Sequence, residues 1–200
     1  MDELEVISAA QKGDVDAFNQ LVVAYQQLAY NVAYRMLGDD DRAMDATQEA
    51  FLRGYRAIDT FHGGSFKAWI LRITTNACYD VLRSTKRRRT TPIDDLVDDD
   101  EHSGILEDDQ ETPEQHVQRL DLDEVIQAAL ATLPEDQRTV VILSDIHGLN
   151  YGEIAAATNV SLGTVKSRLS RARAKMRSYL LDHRELLPGG LRLFDDTIET

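Results

Sequence analysis

The stretch YGEIAAATNVSLGTVKSRLSRARAKM, residues 151–176, reads as two helices about a tight turn, the second rich in Lys and Arg. Ala155 stands where the first helix must approach the second closely. Asn159 falls at the turn, and Asn enters left-handed backbone more readily than most residues because its short side chain bonds locally. Ser161 then supplies an N-cap oxygen for the helix that follows. On that helix Val165, Leu169, Ala172 and Met176 share one face at the spacing of a buried stripe. Lys166, Ser167, Ser170, Arg171, Ala174 and Arg177 point the other way. A basic outer face of short side chains, on the second helix of such a pair, suits insertion into a DNA major groove. A plain surface helix also carries Lys and Arg, but here turn, packing pattern and charge agree.

Composition bounds the rest. The chain has 200 residues, 42% hydrophobic and 28% charged, which is ordinary for a soluble protein of one or two domains. The single Cys, Cys78, excludes an internal disulfide and fits a reducing compartment. The start, MDELEVIS, lacks the basic region and apolar core of a secretory signal, and no apolar run is long enough to span a bilayer, so a cytoplasmic protein without membrane insertion is expected. The net charge of −13 looks wrong for DNA binding until it is located. Fourteen acidic residues lie between Asp94 and Glu124 against one basic residue, Arg119, and outside that window acids and bases balance. The acidity belongs to one segment and says little about its neighbours.

In chain order, helix patterns run from Asp2 to Lys12, from Asp14 to Leu37 with a stop at Gly38, from about Asp41 to Ala57, and from Phe66 to about Arg87. The small residues Ala43, Ala46, Ala50 and Gly54 give the third helix a closely packing face. Its opposite face carries Asp45, Gln48, Glu49, Leu52 and Arg56, either a solvated surface or a protein-docking face around one apolar anchor. The paired glycines of TFHGGS (60–65) mark a loop. Residues 90–113 are acidic and poor in apolar residues, the pattern of a flexible linker. Helical periodicity resumes near Val117, and Pro134 is expected at the first helical position of the next helix. No strand pattern outcompetes helix, so the fold class is all-α.

On the fourth helix, Ile70, Ile73, Ala77 and Val81 form the expected buried side. The other side presents Trp69, Arg72, Asn76, Tyr79, Asp80 and Arg83, then the basic run Lys86–Arg89. Aromatic faces stack on unpaired bases, Asn reads base edges, and Arg and Lys hold phosphates, so this face suits single-stranded nucleic acid. Trp69 and Tyr79 packing against a neighbouring helix is the equally weighted alternative. Catalytic and metal constellations are missing: the five His are scattered without ligand spacing, Cys78 sits near the core side of a helix, and no glycine-rich phosphate loop occurs. Neither an enzyme nor a cofactor is expected.

These blocks together resemble the bacterial extracytoplasmic-function sigma factors of the sigma-70 class. In the first half the resemblance rests on GDVDAFNQLVVAY (13–25), YRMLGD (34–39), DATQEAFLRGYRAI (45–58) and FHGGSFKAWILRITTNACYDVLR (61–83). In the second half it rests on LPEDQRTVVILSDIHGLNYGEIA (133–155) and VSLGTVKSRLSRARAKM (160–176). It implies two small helical domains joined by the acidic linker. Residues 1–89 would resemble region 2, binding the clamp of core RNA polymerase and melting the −10 promoter element. Residues 90–116 would be the linker, residues 117–182 would resemble region 4, reading the −35 element and touching the polymerase flap, and 183–200 would be a tail of unassigned role.

By position, Asp45, Gln48, Glu49 and Leu52 match the family's core-binding helix. The 60–65 loop with His62, together with Arg72, Asn76 and Asp80, matches the −10 surface, to which the same helix adds Trp69, Arg83, Lys86 and Arg87. Thr164, Lys166, Ser167, Arg168 and Arg171 match the −35 recognition helix. Gly152 stands where the family commonly has an acidic residue, and Ser170 where a bulkier one is common. The implied partners are core polymerase, promoter DNA and an anti-sigma factor. Two roles suggest themselves for the acidic linker, threading the polymerase's RNA path or covering the chain's own basic surfaces. The rival from another class is a stand-alone helix-turn-helix regulator that needs no polymerase.

Overall fold

Capping chemistry written in the sequence sets most helix ends in the computed structural model, which describes residues 2–89 and 113–184. The Asp2 carboxylate caps α1 (Glu3–Gln11), and Asp14 accepts from the Ala17 amide at 3.0 Å ahead of α2 (Val15–Leu37). Gly38, at φ 69°, ends α2 in the left-handed region that favours glycine. Asp39 accepts from the Arg42 amide at 2.7 Å and starts α3 (Asp40–Ala57). A short 3₁₀ turn, Ile58–Thr60, leads into the loop before α4 (Phe66–Arg89), where Gly63 and Gly64 both take positive φ, 98° and 89°. Two successive left-handed residues explain the paired glycines.

The second half comprises α5 (Pro113–Ala131), α6 (Glu135–Val141) continued by a π-helical turn (Ile142–Ile146), α7 (Tyr151–Thr158) and α8 (Leu162–Asp182). Among the described residues there are eight α-helices and no strand. Two boundaries differ from expectation. Helix α5 begins at Pro113 rather than near Val117, a proline being well tolerated in a first turn. Pro134 is the N-cap of α6, with ψ 145°, so the helix starts one residue later at Glu135. Most of the acidic linker (90–112) and most of the tail (185–200) lie outside the described residues.

The apolar residues form two clusters. In one, α1, α2, α3 and the start of α4 bury Ile7, Phe18, Leu21, Phe61, Phe66 and Ile70. The other runs without a break from Val32, Met36, Ala46, Leu71 and Cys78 of the first half to Leu130, Val140, Leu143, Ile154, Val165 and Leu169 of the second. The two halves therefore share a core instead of standing apart at the ends of a linker. The reason is visible on α4. Besides the expected side with Ile70 and Ala77, it buries a second flank, Leu71, Thr75 and Cys78, all at 0% exposure, and α7 packs along this helix. Each large side chain buried so stabilises by about 1.5–3 kcal/mol. The hydroxyls of Thr74 and Thr75 are satisfied by the carbonyls of Ile70 (3.0 Å) and Leu71 (2.7 Å), so the flank carries no unpaired polar group.

Candidate nucleic-acid interface

The helix pair α7–α8 is built by local chemistry at both ends. Asn150 accepts from the amides of Gly152 (2.9 Å) and Glu153 (3.0 Å), while the Glu153 carboxylate accepts from the Asn150 amide at 2.9 Å, a reciprocal capping box. Asn159 takes φ 54° at the turn, and the Val160 amide returns to the Ala155 carbonyl at 3.1 Å. Ser161 caps α8 through the Thr164 amide at 3.2 Å. Val165, Leu169 and Ala172 are buried behind α8, and Met176 is half-buried. Lys166, Ser170, Arg171, Ala174 and Arg177 are exposed in front.

Three of the expected −35 residues are less free. Thr164 and Ser167 are half-buried, with the Ser167 hydroxyl donating to the Thr164 carbonyl at 3.0 Å. The Arg168 side chain, 23% exposed, lies against α6 in an ion pair with Asp136 at 2.9 Å. Lower on α8, Arg173 grips Asp145 with two bonds of 2.9 and 2.6 Å, which holds the Asp145 carboxyl below its ordinary pKa. Asp136 and Asp145 thus fix the angle of α8. Nothing in the sequence singled them out, because each is one acid among many; their spacing to α8 exists only in three dimensions.

On α4, Arg72, Asn76, Asp80, Arg83, Lys86 and Arg87 are exposed, and His62 is exposed in the preceding loop. Trp69 is not with them. It is 8% exposed, with its ring centroid 5.7 Å from Phe61 and 5.3 Å from Phe66. It shares the helical azimuth of Asn76 but stands in the first turn, where the loop that bears Phe61 and the Gly54 face of α3 cover it. Tyr79 is withdrawn as well. Its hydroxyl donates to Thr139 Oγ1 at 2.9 Å, and burial raises its pKa. The expected aromatic pair therefore packs, and the open face of α4 is polar and basic. Cys78 is fully buried and its thiol is pushed up to about 12, which leaves it unreactive.

The candidate docking face on α3 is wider than expected. Asp45, Gln48 and Leu52 are exposed and Glu49 half-buried. Beside them Met44 and Tyr55 are 53% and 41% exposed, so the face has three apolar anchors with Leu52, at 53%. The spacing of Met44, Gln48, Leu52 and Tyr55 was the available signal for this. Arg53 joins the α3 and α4 faces, donating to Glu49 (2.7 Å) and to Asp80 (2.7 Å), with Arg83 also 3.5 Å from Asp80. No group of His, Cys, Asp or Glu able to hold a metal ion occurs among the described residues, and no described helix is long and apolar enough to cross a membrane.

The family comparisons match the same two bodies. Residues 21–88 match the model of sigma-70 region 2 and residues 123–176 that of sigma-70 region 4. The chain is 39% identical over 169 residues to the ECF RNA polymerase sigma factor SigE of Mycolicibacterium smegmatis, covering 84% of this chain and 63% of that protein. It is 38% identical over 181 residues to the ECF RNA polymerase sigma factor SigW of Bacillus subtilis, covering 88% of this chain and 95% of that one. Among solved structures, CnrH in complex with the cytosolic domain of CnrY is 26% identical and superposes with a TM-score of 0.65 over 91% of this chain and 98% of its own. The chain belongs to the sigma-70 family of RNA polymerase sigma factors, in its extracytoplasmic-function group, whose members are non-enzymatic initiation factors.

Proposed function

We propose that the chain brings core RNA polymerase to promoters by a two-point grip and opens the −10 element without making or breaking a covalent bond. The observation that carries this reading is one chain with two open basic helix faces, each on a helix whose back is buried: Arg72, Asn76, Arg83 and Arg87 on α4, and Lys166, Arg171 and Arg177 on α8. The α8 face enters the −35 major groove, with Lys166 and Arg171 as the outward cations and Arg168 a positioning residue that sets the helix through Asp136. The α4 face and the His62 loop hold unpaired −10 bases. Asn76 reads a base edge while Arg72, Arg83 and Arg87 hold phosphates. The face of Asp45, Gln48, Glu49 and Leu52, widened by Met44 and Tyr55, docks on the polymerase clamp.

Binding to core and DNA together converts binding energy into strand separation, so the free protein binds promoters weakly. The sigma factor RpoE of Bartonella quintana, a structural neighbour, was solved in complex with the anti-sigma factor NepR, and an anti-sigma factor is the corresponding partner for this chain. Run-off transcription with purified core polymerase tests the reading. Promoter-specific transcripts that require this protein are expected. Tight promoter binding without polymerase, and no transcript with it, would identify a stand-alone regulator instead.

A further inference from the structure

Asp80 is the one acid of α4, and it stands among cations that meet phosphate. It lies one helical turn beyond Asn76 and three residues before Arg83, so all three share the exposed face of the helix. Left alone, its carboxylate would repel a nucleic-acid backbone and draw in the nearest guanidinium, that of Arg83. It is not left alone. Arg53 reaches over from α3 and donates through Nη1 to Asp80 Oδ2 at 2.7 Å. Arg83 Nη1 stays 3.5 Å from Asp80 Oδ1, beyond ordinary hydrogen-bond range, and its side chain is 73% exposed.

Local chemistry aims the Arg53 side chain. Glu49 stands four residues before it on α3, and the Glu49 carboxylate accepts from Arg53 Nε at 2.7 Å. A planar guanidinium held by one edge keeps another edge for a second carboxylate. Beneath the crossing lie Ala46 and Ala77, both buried, whose small side chains leave a groove of about 410 Å³ open between α3 and α4. The bridge itself is half-exposed, with Arg53 at 38%, Glu49 at 44% and Asp80 at 50%, so it adds little to stability. What it does is decide which cation the Asp80 carboxylate holds.

We propose that Arg53 is a positioning residue for −10 engagement: from the docking helix it occupies Asp80 and thereby leaves Arg83 to hold a phosphate. The proposal rests on the −10 role of α4 given above. It also takes Asp80 away from base reading, because a carboxylate with both oxygens facing guanidinium groups is not placed to accept from a base amine. Since Glu49 of the docking face holds the other edge of the same guanidinium, the −10 face is set by α3 as well as by α4.

Binding of a promoter fork by the full chain with core polymerase tests this, the probe being a −35 duplex that ends in a single-stranded −10 non-template overhang. Arg53→Met should weaken binding about tenfold, the worth of one charge-assisted contact, with helicity by circular dichroism unchanged. The slope of log K against log salt should also flatten by about 0.7, one single-strand phosphate contact. Adding Asp80→Asn should restore both, since an amide neither repels phosphate nor captures Arg83 as an ion pair. Asp80→Asn alone should not weaken binding, and Arg53→Lys, which keeps a cation, should lose less than Arg53→Met. A role confined to joining α3 and α4 would make the two single variants equally harmful and the double variant no better. That result would overturn the proposal, as would an unchanged salt slope in Arg53→Met. Weakening by Asn76→Ala without any Arg53 effect would overturn it and leave the −10 reading standing. If Asn76→Ala and Arg83→Ala also left the fork bound as tightly, the −10 reading would fall with it.

Discussion

Trp69 separates packing from base stacking most cleanly. Its indole is 8% exposed between Phe61 and Phe66, and a Cβ added at Gly54 would lie 3.8 Å from it. Truncation to Ala should cost about 3–5 kcal/mol, the range for emptying a buried aromatic site. That is a large share of the roughly 5–15 kcal/mol that keeps a domain folded. Trp69→Phe keeps a ring against both neighbours, contacts worth about 0.5–1.5 kcal/mol each. Since Nε1 has no hydrogen-bond partner, the replacement also gives up no bond, and a cost of about 1–2 kcal/mol is expected. Trp69 is the single Trp of the chain, so fluorescence follows it without ambiguity. Native emission should be that of a buried indole, protected from iodide, and urea titration should place the two variants in the stated order. Trp69→Phe should still open the −10 element with core polymerase. Emission of a water-exposed indole would refute the reasoning, as would a Trp69→Phe variant of unchanged stability that no longer opens the promoter.

Other outcomes follow from single contacts. Asn150→Ala removes the side-chain half of the capping box, the acceptor for the Gly152 and Glu153 amides, and should destabilise the second half by about 1 kcal/mol in urea unfolding, with −35 duplex binding weakened in parallel. His147 is buried with Nε2 unpartnered, and burial, then the charges of Lys67 and Arg35, pushes its pKa down to about 4. A depressed histidine contributes stability in full above about pH 6.5 and loses it as pH falls toward 4, so the difference between this protein and His147→Gln should shrink by about 2 kcal/mol from pH 7 to pH 5. A pH-independent difference would show that the ring is not enclosed. Arg53→Met cuts the link between Glu49 and Asp80; as the pairs are half-exposed, stability should fall by no more than about 1 kcal/mol in urea titration.

How much of this was legible in the sequence depends on how local the cause was. Asp14, Gly38, Asn159 and Ser161 mark helix ends because each acts on a backbone group within a few residues, and all four do so in the structure. The buried stripe Val165–Leu169–Ala172 follows from helical spacing alone. Trp69 and Tyr79 could not be placed by spacing, because what covers them comes from elsewhere: Phe61 and α3 over the first, Thr139 of the second half over the second. Nor could the acidic clamps on α8, since Asp145 and Arg173 are 28 residues apart. The shared core was hidden for the same reason. Leu71, Thr75 and Cys78 give α4 a second buried flank that matters only once α7 lies beside it.

Permanganate footprinting of the −10 thymines, with core polymerase and this protein on a matched promoter, tests the two-point grip most directly. Reactive thymines are expected only when both proteins are present. Asn76→Ala and Arg72→Ala should diminish that reactivity while −35 protection stays, and Lys166→Ala with Arg171→Ala should lose the −35 protection first. Opening that survives loss of the α4 side chains, or −35 protection that ignores the α8 ones, would contradict the assignment of melting to α4 and location to α8.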